Sequence, residues 1–371
     1  MLSCIPVRAF LKQHIVTVVA LAAAVVSMFF VPPSAGYAEY IDLKTICSVF
    51  CVLAVVEALS GIGVFANLAR RVVRLFKTTR SCALALVWIT LVGSMFMTND
   101  VALLTFLPLS YLVFGKVTEN RCLLPWVFIL QNAAAILGGM VLPFGNPHNL
   151  YLYNLFNIPT GTFVLTMLPT FATSVTLITA GCLVIKPAPL EVEGEAACSS
   201  RQRAVVYLAL FVVTLLFVLR AIPSYVGAPI VLVVLLVMDR GALRKVDYGL
   251  LLTFLGFFIF AGNMANIPEV RDFLVSLLDR NALLTEVLTC QVISNLPTTL
   301  LMAPFTTDWA TLLVATDIAG VGTPIASLAS LITIKAFMNR RRQDTRLFMG
   351  MFLGVNFCLL AVLFCVAWFT L

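Results

Sequence analysis

Residues 80–121 read RSCALALVWITLVGSMFMTNDVALLTFLPLSYLVFGKVTENR, and how this stretch meets a bilayer decides the architecture. Between Ser81 and Gly115 the sole charge is Asp100, whereas Arg80, Lys116 and Arg121 make both flanks basic. Short loops rich in Lys and Arg stay cytoplasmic, so the segment must enter and leave on one side. The polar triplet Thr98-Asn99-Asp100 leaves about 17 residues before it and about 15 after, each arm short of the ~20 residues of a full crossing. A re-entrant helical hairpin, its tip at Thr98–Asp100 deep in the membrane, fits these lengths. Two short spans joined by a polar outer turn are the competing reading.

Composition agrees that the membrane is the solvent. Of 371 residues, 61% are hydrophobic and 11% charged, and the mean hydropathy is +1.05. A soluble domain is nearer 45–50% apolar and ~25% charged. A soluble fold is therefore excluded, and the lipid bilayer is the chain's surroundings. The net charge of +7 sits in short loops between apolar runs, which is loop bias and not a nucleic-acid surface. Ten cysteines form no CxxC pair and there are only two histidines, His14 and His148. A disulfide framework or a zinc site is not expected, and no cofactor is expected beyond a coupling Na⁺ or H⁺.

Working outward, Arg8 and Lys12 precede an apolar run from Ile15 that is longer than a signal-peptide core. It reads as an uncleaved first span with the amino terminus in the cytoplasm. Glu39 and Asp42 mark an outer loop, Thr45–Leu68 returns, and Arg70, Arg71, Arg74, Lys77 and Arg80 are cytoplasmic. Cys122–Ile185 is 64 residues without Asp, Glu, Lys or Arg, again flanked by basic residues. Two crossings fit, separated by Pro143-Phe144-Gly145-Asn146-Pro147-His148-Asn149. That heptad is either an outer loop, with His148 facing water, or an unwound stretch whose freed backbone lines a polar cavity.

Lys186–Arg203 is a polar linker that divides the chain into halves 1–185 and 204–371. Spans are expected at Ala204–Leu219, Ser224–Met238 and Tyr248–Asn263. Asn281–Thr307 is interrupted at Ser294-Asn295-Leu296-Pro297, and Trp309–Met338 at Gly320-Val321-Gly322-Thr323-Pro324. Arg340–Arg342 is cytoplasmic and Leu347–Leu371 is the last span. The expected fold is an all-α polytopic membrane protein with about nine transmembrane helices, two re-entrant hairpins and two broken helices.

The halves echo each other. Pro108 follows Asn99 by nine positions, and Pro304 follows Asn295 by nine. Gly145-Asn146-Pro147 in one half answers Gly322-Thr323-Pro324 in the other. Basic loops put the base of the first hairpin inside and that of the second outside, which is inverted-repeat organisation with a binding site at mid-membrane. Helix amino termini at such tips suit an anion, and Asn, Ser and Thr oxygens suit Na⁺. Among the rare charges, Asp100 is either a helix-capping carboxylate or a coupling group. Asp317 and Glu57, the latter read as mid-span, are candidates for coupling because a lone charge there is costly. Asp308 reads as interfacial, and Glu286 and Arg280 as residues at the mouth of the second hairpin.

These residues give a resemblance. Phe96-Met97-Thr98-Asn99-Asp100-Val101-Ala102-Leu103, Gly145-Asn146-Pro147-His148-Asn149, Gln291-Val292-Ile293-Ser294-Asn295-Leu296-Pro297 and Gly322-Thr323-Pro324-Ile325-Ala326-Ser327-Leu328 stand in the order found in the ion transporter superfamily. The chain resembles its arsenite permease and sodium/proton antiporter branch, allied to the citrate transporters, and most narrowly the YbiR-type inner-membrane permeases. The resemblance implies an elevator-like carrier, often a homodimer. It also implies that Thr98, Asn99, Gly145, Asn146, Asn149, Ser294, Asn295, Thr298, Thr323 and Ser327 line substrate and cation sites. There are departures: Leu142-Pro143-Phe144-Gly145-Asn146-Pro147 differs from the usual Thr-Pro-x-Gly-Asn-Pro, His148 stands where Gln or Pro is common, and Asp317 stands where relatives often have Asn.

The expected function is secondary active transport of a small anion or oxyanion across the inner membrane, coupled to H⁺ or Na⁺. A Na⁺/H⁺ antiporter using Asp100 and Asp317 is the alternative, and a channel a further one. No nucleophile–base pair suggests an enzyme. No GxxxxGK[ST] motif is present, so ATP coupling would need a separate subunit.

Overall fold

The computed structural model describes residues 15–34, 36–115, 117, 120–190 and 201–371. Arg8, Lys12, His14, Lys116 and the middle of the linker, with Cys198, lie outside the described residues. The described chain is helical throughout. It opens with α1 (Ile15–Ser27) and α2 (Leu43–Gly61), the latter capped by the Asp42 carboxylate accepting from the Thr45 amide. Gly63, at φ +73°, adopts the left-handed conformation that glycine tolerates. It turns the chain into a separate amphipathic helix, α3 (Val64–Val73), whose last turn carries Arg70 and Arg71. The apolar stretch Thr45–Leu68 is therefore not one span.

Two antiparallel helices form the first hairpin, α4 (Thr79–Phe96) and α5 (Asn99–Phe114), and both pack on the almost wholly buried α6 (Leu123–Gly138). Met97 and Thr98, both extended, make the tip. After α6 the chain tightens into one turn at Gly139–Val141, runs irregularly to Asn146 and resumes as α7 (Pro147–Leu155). Pro147 opens that helix, where its missing N–H has no bond to lose. Helix α8 (Thr160–Leu183) returns the chain.

The second half repeats the order. After α9 (Arg201–Val218), α10 (Ser224–Met238) and α11 (Arg240–Lys245) comes α12 (Tyr248–Ala265). Helix α13 (Pro268–Ile293) kinks at Asn281, and its second part pairs with α14 (Asn295–Met302) as a second hairpin. A second broken helix follows, α15 (Trp309–Ile318) and α16 (Leu328–Met338), and α17 (Thr345–Thr370) closes the chain. Among the described residues, six helices are long and apolar enough to cross a membrane.

The basic loops gather at one end. The Thr79 amide donates to the Ala188 carbonyl and Arg80 Nε to the Ile185 carbonyl, while Arg341 reaches Gly115 and Arg121 pairs with Asp344. The other end carries Asn154 bonded to Thr45, and Asn266 bonded to Tyr40. Helix α2, about 28 Å long at 1.5 Å per residue, begins there at Leu43, and its far end leads through α3 to the basic loops. The first hairpin thus springs from the basic end. The second follows Asn266 and springs from the opposite one.

Candidate functional site

Each hairpin tip meets a break of its own half. Asn99, the first residue of α5, faces the break after α6. A Cβ on Gly139 would fall 2.8 Å from Asn99 Oδ1 and 2.8 Å from Asn146 Oδ1, so both amide oxygens converge over that glycine. Neither oxygen has a hydrogen-bond partner, although both residues are buried. Gly145 is fixed as glycine by the same crowding, since its Cβ would lie 2.2 Å from the Gly139 carbonyl oxygen.

The second tip mirrors this. Ser294 has φ +77°, a strained backbone for a residue with a side chain. The next amide, Asn295 N–H, donates to the Ala326 carbonyl at 2.9 Å, as does Ser294 Oγ at 3.2 Å. Asn295 Oδ1 accepts from the Leu296 amide at 2.9 Å, closing the start of α14.

A buried carboxylate joins the two assemblies. Asp317 Oδ1 accepts from Asn146 Nδ2 at 2.8 Å and lies 3.2 Å from His148 Nε2. Its Oδ2 has no partner, nor does either polar atom of Asn149, which is wholly buried. His148 is 3% exposed, so it does not face water as a loop histidine would. The Pro147 start of α7 turns it inward.

Four helix amino termini therefore meet in one region: Asn99, Pro147, Asn295 and Leu328. Each directs the positive end of its dipole inward, with the Asn295, Leu296 and Ala329 amides already bonded to the Ala326 carbonyl, Asn295 Oδ1 and Ser327 Oγ. Of the residues expected to line the site, Thr98, Asn99, Asn146, Asn149 and Asp317 stand together at the first tip and break. Thr98 is buried, with no capping bond from its side chain to α5. Thr298, Thr323 and Ser327 are near the second tip with their polar groups occupied: Thr298 Oγ1 donates to the Ser294 carbonyl, Thr323 Oγ1 to the Gln291 carbonyl, and Ser327 Oγ accepts from the Ala329 amide. Asp100 is half-buried in the first turn of α5, where the dipole favours a carboxylate.

Glu57 is not part of this region. It lies in the final turns of α2, within reach of the charge of Lys245, and is not mid-span. Glu286, five residues beyond the Asn281 kink of α13, does not face water; it is wholly buried. Asp308 caps α15 at the surface, accepting from the Thr311 amide.

Several polar residues essential to the arrangement were not singled out as site residues: Gln291 stood only at the edge of the second-tip motif, and Gln131 and Asn132 in no motif. Gln291 Nε2 donates to the Ala319 carbonyl at 2.9 Å and its Oε1 accepts from the Thr323 amide at 2.8 Å, holding the second break in place. Gln131 bonds Ser110 and Thr90, tying α6 to both arms of the first hairpin. Asn132 bonds Ser330 and Thr333 across the halves. A cavity of about 610 Å³ lies outside the first hairpin, between α3 and α4, lined by Phe65, Val72, Trp88 and Phe96. Its walls are apolar and offer an anion nothing.

Comparison with known proteins fits this geometry. The chain is 28% identical over 322 residues to the inner membrane protein YbiR of Escherichia coli, covering 84% of this chain and 85% of that one. It is 26% identical over 295 residues to the uncharacterized transporter MJ0456 of Methanocaldococcus jannaschii, covering 80% and 81%. The crystal structure of the Alcanivorax borkumensis YdaH transporter shares the fold, with a TM-score of 0.55 and 12% identity over 90% of this chain and 85% of that one. The model of the citrate transporter family, CitMHS, matches residues 10–312. Helices of membrane-crossing length, two hairpins, two broken helices and this match together place the chain in the citrate transporter family, as a multi-pass membrane transporter.

Proposed function

We propose that this protein is a secondary active transporter of a small anion or oxyanion, driven by H⁺ or Na⁺, acting without chemical change to its substrate. The observation that carries this reading is the meeting of four helix amino termini around the buried amides of Asn99, Asn146 and Asn295. Helix amino termini attract an anion without a full positive charge, which would be costly at that depth. The unpartnered oxygens of Asn99, Asn146 and Asp317 are hard ligands of the kind a Na⁺ ion takes.

In this reading residues 1–185 and 204–371 are inverted repeats around a cytoplasmic linker. The amino terminus is cytoplasmic, the membrane is the inner one, and two copies form a homodimer. Hairpins and broken helices carry the substrate across as a unit. A second reading, Na⁺/H⁺ antiport, draws support from the buried Asp317–His148 pair.

Purified protein on a solid-supported membrane tests both. Steps of citrate, succinate, sulfate, arsenite, Na⁺ and pH are applied, with Asn99→Ala as control. An anion-evoked current absent from the variant is expected. A response confined to Na⁺ and pH would replace the anion reading with antiport.

A further inference from the structure

Glu286 is a buried acid that the site at the hairpin tips does not use and, unlike the buried Asp344, has no ion-pair partner among the described residues. It lies in the second part of α13, five residues before Gln291, with no solvent exposure. Neither carboxyl oxygen has a hydrogen-bond partner. An ionised carboxylate in such surroundings is strongly disfavoured, and the group takes up a proton instead. A structural role would leave it bonded, as Asp42 and Asp308 are in capping their helices.

Its neighbours describe a route. Helix α13 packs against α14, α15 and α12 and the turn Ala303–Phe305. Helices α12 and α14 and that turn contain no Asp, Glu, Lys, Arg or His. On α15, Asp308 at the exposed end is near enough for its charge to act on Glu286. On α13 itself, Cys290 is one turn further in, and Asp279 and Arg280 stand at the kink. Along the α13–α15 interface the acids thus run from exposed Asp308, through Glu286, to Asp317 and His148 at the centre. The spacing of Glu286 from Gln291 is about 7.5 Å at 1.5 Å per residue, and Gln291 grips the second break.

We infer that Glu286 is a proton-binding site on the second hairpin, exchanging its proton with solution at the Asp308 end and coupling protonation to movement of that hairpin. In the packed state Glu286 is a neutral acid and the α13–α15 interface closes around it. When that interface admits water, the carboxyl O–H bond breaks, water takes the proton and the carboxylate is solvated. The coupling half of this inference rests on the transporter reading; proton binding does not.

Two measurements on the reconstituted full-length protein separate these claims. Infrared difference spectroscopy is expected to show a protonated-carboxyl C=O band that shifts in D₂O, is lost in Glu286→Gln and persists in Asp308→Asn. A pH step on a solid-supported membrane, with no anion present, is expected to evoke a transient in wild type and none in Glu286→Gln. Glu286→Met, an apolar replacement that removes the burial cost, is the second variant and is expected to fold and to lack the transient too. A carboxyl spectrum unchanged by Glu286→Gln, or an undiminished pH transient in either variant, would overturn the inference. Failure of every anion to evoke current in wild type would overturn anion transport instead, while the carboxyl band would still support proton binding at Glu286.

Discussion

Asn99 keeps a buried amide oxygen without a partner, an arrangement that costs about 1–3 kcal/mol. Asn295 differs, because its Oδ1 closes the start of α14 through the Leu296 amide. The two tips should therefore respond differently to the same truncation. Asn99→Ala is expected to abolish transport with no loss of thermal stability in detergent. Asn295→Ala is expected to abolish transport and lower stability by about 1 kcal/mol, the usual worth of a helix cap. Full transport by either folded variant would remove that tip from the site. Gly139 offers a finer probe, since a methyl group there would sit 2.8 Å from both Asn99 Oδ1 and Asn146 Oδ1. Displacing such groups by about 1 Å commonly costs about a hundredfold in rate, so Gly139→Ala should cut uptake by that order. Gly354→Ala, where an added Cβ meets nothing within 4 Å, is the control and should transport normally. Equal rates in both would show that the amide oxygens do not act together.

The broken helices depend on side chains that replace lost backbone bonds. Gln291 does this for the second break by bonding Ala319 and Thr323, and Gly322, at φ +122°, packs where a Cβ would strike Gln291 Oε1 at 2.2 Å. Gln291→Leu keeps the approximate size but orphans the Ala319 carbonyl and the Thr323 amide. The expected result is a loss of about 1–3 kcal/mol, read as a lower melting temperature, together with lost transport. An unchanged melting temperature would mean that the break is held by its backbone alone. This level also shows what the sequence could tell. The tips and breaks were legible because Asn, Ser, Gly and Pro at repeated spacings are conspicuous in an apolar background and must have a reason to be there. Helix α3 and the first part of α13 were not, since charged amphipathic helices lack the apolar run of a span; only Gly63's left-handed turn separates α3 from α2. The inward turn of His148 and the burial of Glu286 were hidden for another cause. In a membrane both the lipid and the protein face of a helix are apolar, so periodicity does not tell which way a side chain points.

For the whole molecule, the charge of the basic loops predicts that they share one side of the membrane, and the structure brings them together at one end. Lys77, Thr79 and Arg80 bond to Leu190, Ala188 and Ile185, and Gly115 and Arg121 to Arg341 and Asp344. If that end is cytoplasmic, as the Lys and Arg excess requires, two cysteines report it. Cys122 is exposed beside Arg121, and Cys198 belongs to the polar linker. Gly161, at the start of α8 next to the opposite end, is exposed and has open space where a side chain would go, so Gly161→Cys supplies the outer reporter. With the remaining cysteines replaced, a membrane-impermeant maleimide applied to intact cells should label Gly161→Cys and leave Cys122 and Cys198 untouched until the cells are opened. Labelling of Cys122 or Cys198 from outside would invert the map, placing the first hairpin's base outside and the Asp308 end of the second hairpin in the cytoplasm. The direction from which Glu286 takes its proton would then reverse as well, which makes sidedness the property on which the sense of coupling depends.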